Sequence, residues 1–267
     1  MDTTPKKKKH HYVPVAYLRR FTDTDGMLYV YRKDAPDQVR PSRPESIAYR
    51  NYYYSQPRPD GSQDNSVLED LFSKIESDWP CLCDNLVRRQ PFDRDATVSL
   101  LGFIGLQRVR VPAARDMVEG VLARDVMGTL RQLQATGELP PPPDGLRDLI
   151  DHVVVSIDPH QSIHAMPGAM QALGPLLDTL GYEILHNETG RSFVTSDNPV
   201  ALFDPTVGEK DVQPYDVNGG GGPVELLFPV TPHIVVRGHP SCVVDSCAKE
   251  RVIRDCAMMP RFAESIG

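Results

Sequence analysis

The chain has 267 residues, 40% apolar and 24% charged, which is ordinary for a globular protein of one large domain or two small ones. A net charge of −7 argues against broad coating of nucleic acid, although a local basic groove stays open. No run approaches the roughly 20 apolar residues of a membrane span.

Lys6 to Lys9 are followed by His10 and Tyr12 instead of an apolar stretch, so no secretory signal is expected and residues 1–9 read as a disordered basic tail. The five cysteines (Cys81, Cys83, Cys242, Cys247, Cys256) have no CxxC spacing. Free thiols in a reducing cytoplasm fit better than a disulfide framework or a zinc ribbon. The 25 prolines exceed the roughly 5% usual share and predict many stiff connections.

In chain order, His10-His11-Tyr12-Val13-Pro14 leads into a short helix started by Pro14, with Tyr17, Leu18 and Phe21 as its apolar stripe. After a turn at Asp23 to Gly26, residues 27–31 read as a strand, and Asn51 to Tyr54 as a second. Ser66 and Glu69 have capping-box spacing. The apolar residues from Leu68 through Leu71 and Trp79 to Leu86 keep helical period, with a kink expected at Pro80. Glu69 and Glu76, seven apart, border that core face.

A helix from about Asp95 to Val111 is apolar nearly all round, so it should be central. Its end presents Gln107 and Arg110 on one face, followed by Pro112 and Arg115. Helix is expected to resume to about Thr136. Pro140 to Pro143 form a stiff spacer, and Asp144 is a candidate cap for a helix bearing Leu146, Leu149, Ile150, Val153 and Val154. Asp158-Pro159 opens another helix, where His160 and His164 sit four apart, a weak metal-ligand spacing.

From Tyr182 the pattern turns to strand. Residues 182–186 and 191–195 are expected to form one hairpin, and Val224 to Phe228 with Ile234 to Val236 another. Asn218 and the four glycines after it suggest a loop able to close over a site, without the spacing of a phosphate cradle. The tail from about Asp245 reads as a helix holding Val252, Ile253 and Cys256. These elements predict an α+β fold: a single domain over 10–267, with a mainly helical centre and antiparallel β-hairpins from the N-terminal and C-terminal parts.

The two densest polar clusters are the opening His10 to Pro14 with Tyr17-Leu18-Arg19-Arg20-Phe21, and Phe193 to Val200 around Thr195-Ser196-Asp197-Asn198-Pro199. Both resemble motifs of the domain of unknown function 4238 family. Tyr29 to Tyr31, Leu68-Glu69 with Lys74 to Glu76, Phe103 to Arg115, and Phe228 to Pro232 are similar to intervening family segments. The resemblance runs in order from residue 10 to about 232. Val15-Ala16 depart from it, where the family often has a glutamine and an aromatic. It implies a grouping and assigns no chemistry.

Histidines, an aspartate and bordering carboxylates are a common set for holding a divalent metal and activating water. One reading is therefore a hydrolase, a phosphodiesterase or nuclease acting on nucleic acid or a nucleotide. In it His10, His11 and Asp197 ligate Mg, Mn or Zn or act as base, with Glu69 or Glu76 assisting. Gln107, Arg110 and Arg115 would hold the phosphate, with Tyr12, Ser196 and Asn198 completing the substrate site. A metal-free variant uses one histidine as acid or base. The alternative is a non-catalytic binding or scaffold module, in which Arg110 pairs with Glu69 or Glu76 and the histidines satisfy buried backbone. A small-molecule enzyme of another class is a further alternative.

Overall fold

A computed structural model of the protein describes residues 8–57, 60, 63–64, 67–140, 145, 149–207, 223–240 and 254–256. Ser66, residues 141–144, Leu146, the glycine loop after Asn218, Cys242, Cys247, Val252 and Ile253 lie outside these. Order begins earlier than the sequence suggests. Lys9 already belongs to strand β1 (Lys9–His11), and the Lys8 carbonyl accepts the Tyr52 N–H at 2.8 Å.

The first part of the chain is a set of short strands around one helical turn. β1 leads through Pro14, in extended backbone, into α1 (Val15–Leu18) and a 3-10 turn at Arg19–Phe21. β2 (Leu28–Arg32) pairs antiparallel with β3 (Ala35–Ser42). β3 carries Pro36 and Pro41. In a two-stranded ribbon both strands are edges, where a missing N–H is tolerated. β4 is Tyr49–Asn51, not Asn51 to Tyr54, and pairs with β1. Tyr52, at φ 57°, turns the chain out of the strand. β5 (Gln56–Pro57) and β6 (Gln63–Asp64) form a minor hairpin.

The expected kinked helix is two helices, α2 (Val67–Glu76) and α3 (Trp79–Val87). Pro80 has no N–H to give the Glu76 carbonyl, so α2 ends there and Pro80 serves in the first turn of α3. Asp64 Oδ1 accepts the Val67 N–H at 3.0 Å. Leu71, expected in the core, is exposed. Asp93 caps α4 (Arg94–Arg110) by accepting the Ala96 N–H at 2.8 Å, and Pro112 opens α5 (Pro112–Ala135). Among the described residues between the spacer and Asp158 there is a 3-10 turn at Leu149–His152, and Val154 after it is exposed. Asp158 caps α6 (Pro159–Asp178) through the His160 N–H.

The C-terminal half supplies β7 (Gly181–His186), β8 (Ala201–Phe203), β9 (Glu225–Thr231), β10 (Ile234–His239) and β11 (Arg254–Cys256). They form one sheet in the order β11-β7-β10-β9-β8. The β9–β10 hairpin is as expected. The 182–195 hairpin is not: β7 pairs with β10 on one side and parallel with β11 on the other. Asn187 Oδ1 accepts the Thr189 N–H at 2.9 Å and turns the chain away, and residues 191–199 run irregularly with Phe193 N–H on the Pro232 carbonyl. β11 also replaces the expected tail helix at residues 254–256.

The resulting α+β fold has a helical centre flanked by mainly antiparallel strands from both ends of the chain. Trp79, Phe103, Phe228 and Tyr17 meet at its core, with Trp79 stacked on Phe103 at 4.2 Å. Among the described residues no helix is long and apolar enough to cross a membrane. Cys83 is buried, which pushes its thiol up to about 11, while Cys81 is exposed.

Candidate functional site

His10 lies on β1 opposite Arg50 and is fully buried. Its Nδ1 accepts the Tyr54 N–H at 2.9 Å, and its ring stacks on Tyr54 at 5.7 Å. That bond puts the ring hydrogen on Nε2 and takes Nδ1 out of reach of a metal. Strand alternation turns His11 the other way, to a half-buried position beside Tyr49 with Nε2 3.4 Å from the Glu45 carbonyl. Burial lowers the His11 pKa below the ordinary imidazole value. The Glu45 carbonyl opposes this, and the charges of Arg110 and Lys9 add to it.

Arg110, 2% exposed, ends α4 directly beneath this strand. It donates through Nη1 to Glu76 Oε1 and through Nη2 to the His11 carbonyl, and its Nε lies 3.4 Å from the Tyr54 hydroxyl. The Tyr54 hydroxyl donates back to the Arg110 carbonyl at 3.0 Å. The guanidinium also sits 4.8 Å from the Phe72 ring centre. Glu69 is half-buried on α2, and its charge adds a small upward push to a Tyr54 hydroxyl pKa raised mainly by burial.

Arg115 is equally engaged but faces elsewhere. Its Nε, Nη1 and Nη2 donate to Ser162 Oγ, the Tyr53 carbonyl and the Pro159 carbonyl at 3.0, 3.2 and 2.8 Å. Gln107, one turn before Arg110, is fully buried, and neither its amide oxygen nor its nitrogen has a hydrogen-bond partner among the described residues. Its amide keeps hydrogen-bonding capacity inside the fold.

The second cluster reaches the first through tyrosines. The Tyr17 hydroxyl, wholly buried, bonds Thr195 Oγ1 at 2.7 Å and donates to the Pro229 carbonyl at 2.8 Å. Arg108 Nη1 donates to the Val200 carbonyl at 3.0 Å. Tyr12 packs edge-on against Tyr53, and its hydroxyl pKa is raised by burial and then by the negative charge of Asp197. Asp197 and Ser196 are exposed, Asn198 is half-buried, and Ser196 Oγ accepts the Asn198 N–H at 3.1 Å in an ordinary turn.

The opening motif, the α4 end and the Asp197 turn therefore meet. Apart from Gln107, the buried members are hydrogen-bonded within the fold, and Tyr12, His11, Ser196 and Asp197 remain at the edge. His160 and His164 are on α6, and among the described residues no three His, Cys, Asp or Glu side chains are grouped to hold a metal ion. Tyr17 and Tyr54 were missed as polar bridges. Their one sequence signal is a hydroxyl at positions of a stripe where phenylalanine would fill the same space.

No curated protein and no solved structure matches the chain. Its likeness is at the level of sequence family, where the same segments that build this junction fall inside the match. The chain belongs to the family described as "Protein of unknown function (DUF4238)", whose model matches residues 9–243.

Proposed function

We propose that the chain is a non-catalytic cytoplasmic binding or scaffold module whose histidines, arginines and glutamates hold its two ends together. The supporting observation is the state of Arg110: Glu76, the His11 carbonyl and Tyr54 occupy a guanidinium that is 2% exposed, leaving no fork for a phosphate. Breaking a buried charge pair from one side costs about 3–5 kcal/mol, so such a group is expensive to divert to a substrate.

A second reading keeps the hydrolase. His11 at the exposed edge has a lowered pKa, which leaves a neutral imidazole able to accept a proton, and Tyr12 and Asp197 are close enough to influence each other. This favours the metal-free form of phosphodiester cleavage.

Single-stranded RNA and DNA offered to wild type, Arg110→Ala and Asp197→Asn, with Mg, Mn or Zn and with chelator, separate the two. The binding-module reading expects no cleavage by any of them, a loss of about 3 kcal/mol in Arg110→Ala, and stability within about 0.5 kcal/mol of wild type in Asp197→Asn. Cleavage by wild type that disappears in a stably folded Asp197→Asn would overturn it.

A further inference from the structure

The charge of the chain is divided along its length. Residues 1–55 carry eleven Lys and Arg against six Asp and Glu, whereas residues 56–267 carry 18 against 30. A chain of net charge −7 thus begins with a cationic section, and the clustering of cations is what attracts a polyanion. The fold gathers part of that section on the β1–β4 strand pair. Register sets Lys9 opposite Asn51 and His10 opposite Arg50, and the Tyr52 N–H on the Lys8 carbonyl extends the pairing by one residue. Lys8, Lys9 and Arg50 are exposed, and among the described residues no carboxylate pairs with any of them. Glu45, whose carbonyl meets His11, has its carboxylate tied to Arg19 at 2.8 Å. Asp197 acts on the Tyr12 hydroxyl together with Arg50.

The same strands offer aromatic rings. Lys9 Nζ lies 4.5 Å from the Tyr49 ring centre, His11 is tilted against that ring at 5.5 Å, and the Arg50 guanidinium stands 5.4 Å from the Tyr53 ring centre. Tyr52 differs from these in two ways: its φ of 57° is left-handed, and it is 44% exposed. A bulky side chain is strained in that conformation, and glycine or asparagine makes the same turn more easily. So exposed a ring recovers little of the strain by burial. The turn by itself does not call for a tyrosine, whereas a contact outside the chain does.

We propose that the β1–β4 strand pair binds single-stranded nucleic acid, with Lys8, Lys9 and Arg50 along the phosphates and the Tyr52 ring stacked on a base. Unpaired strands are held in this way, by cations that track the backbone and rings that accept any base. A duplex keeps its bases stacked on each other and offers Tyr52 none of them. An acidic peptide would meet the cations and leave the ring without a flat partner. The surface gives a partner to the binding-module reading and rests on it in one respect, that the bound strand is released uncut.

The probe is a fluorescein-labelled oligo-dT of about 12 nucleotides, titrated by anisotropy into the full chain with chelator at low salt. The expected result is saturable binding whose log K falls with log salt at a slope of about −2, the value for three phosphates neutralised on a single strand. Tyr52→Asn should weaken it about fivefold or more, leave that slope unchanged, and hold or raise the urea midpoint. Lys9→Gln and Arg50→Gln should each bring the slope about 0.7 closer to zero. No saturation, or unchanged binding in Tyr52→Asn, overturns the surface. A lowered urea midpoint in that variant overturns the assignment of the ring to a partner. Equal binding of a duplex of the same length overturns the stacked single strand, and equal binding of polyglutamate overturns the nucleic-acid class. Binding accompanied by cleavage of the probe, read on a gel, supports the surface and overturns the binding-module reading alone.

Discussion

His11 and His10 differ by one residue and by everything else, because a strand sends neighbouring side chains to opposite faces. His10 closes the backbone at Tyr54, whereas His11 stays half in water with a lowered pKa. The unfolded chain therefore binds the His11 proton more tightly than the folded one. Stability from a neutral His11 is complete above about pH 6.5 and is lost as pH falls through the lower folded value. Between pH 7 and 5 the urea midpoint of wild type should drop more steeply than that of His11→Gln. Parallel pH profiles for the two would show that His11 does not carry this linkage. Arg110 was legible as a polar residue at a helix end. That it faces Glu76 was one of two pairings the spacing allowed, since helical period fixes a face and not the neighbour across it.

Elements were readable where a local rule has one outcome. The Asp158 cap of α6 is such a case, because a side-chain oxygen there meets an otherwise unpaired N–H; the Asp93 cap of α4 follows the same rule and went unread. Pro80 was read correctly as a disruption, and packing decided that it splits the helix instead of bending it. Strand partners were not readable, because pairing is a contest between distant segments. β10 took β7, and the register sets Arg237 opposite Glu183, with a two-pronged contact to Glu225 at 3.0 and 2.9 Å. On the core face of the same strand, a Cβ at Gly238 would lie 3.0 Å from Leu180 and 3.1 Å from both Leu226 and Tyr182. Gly238→Val should thus cost about 1–3 kcal/mol in denaturant unfolding. Gly102→Ala in α4, with nothing within 4 Å of the added carbon, should gain about 0.5–1 kcal/mol. A Gly238→Val protein as stable as wild type would mean that the sheet relaxes around the new methyls.

At the scale of the molecule, the single tryptophan sits where the two ends of the chain meet the helices. Trp79 of α3 stacks on Phe103 of α4 and touches Tyr17 of α1 and Phe228 of β9. If this junction makes one cooperative unit, Trp79 fluorescence and far-UV circular dichroism should follow a single urea transition with one midpoint. Two separated midpoints would divide the chain into parts that unfold independently. The Tyr17 hydroxyl belongs to the same junction, joining α1 to Thr195 and to the Pro229 carbonyl, residues 178 and 212 positions away.

The helical segments from α2 to α6, the Asp158 cap, the β9–β10 hairpin, the central burial of α4 and the family kinship were determined by sequence alone, because each rests on local period, turn chemistry or a contiguous motif. The tertiary structure decided which polar residues are occupied and which remain open. His10, Arg110 and Arg115 read from sequence as groups able to meet a substrate, and each is instead satisfied by a partner on another element. Polar character is a property of one residue, whereas saturation and open space belong to the surroundings that folding brings to it.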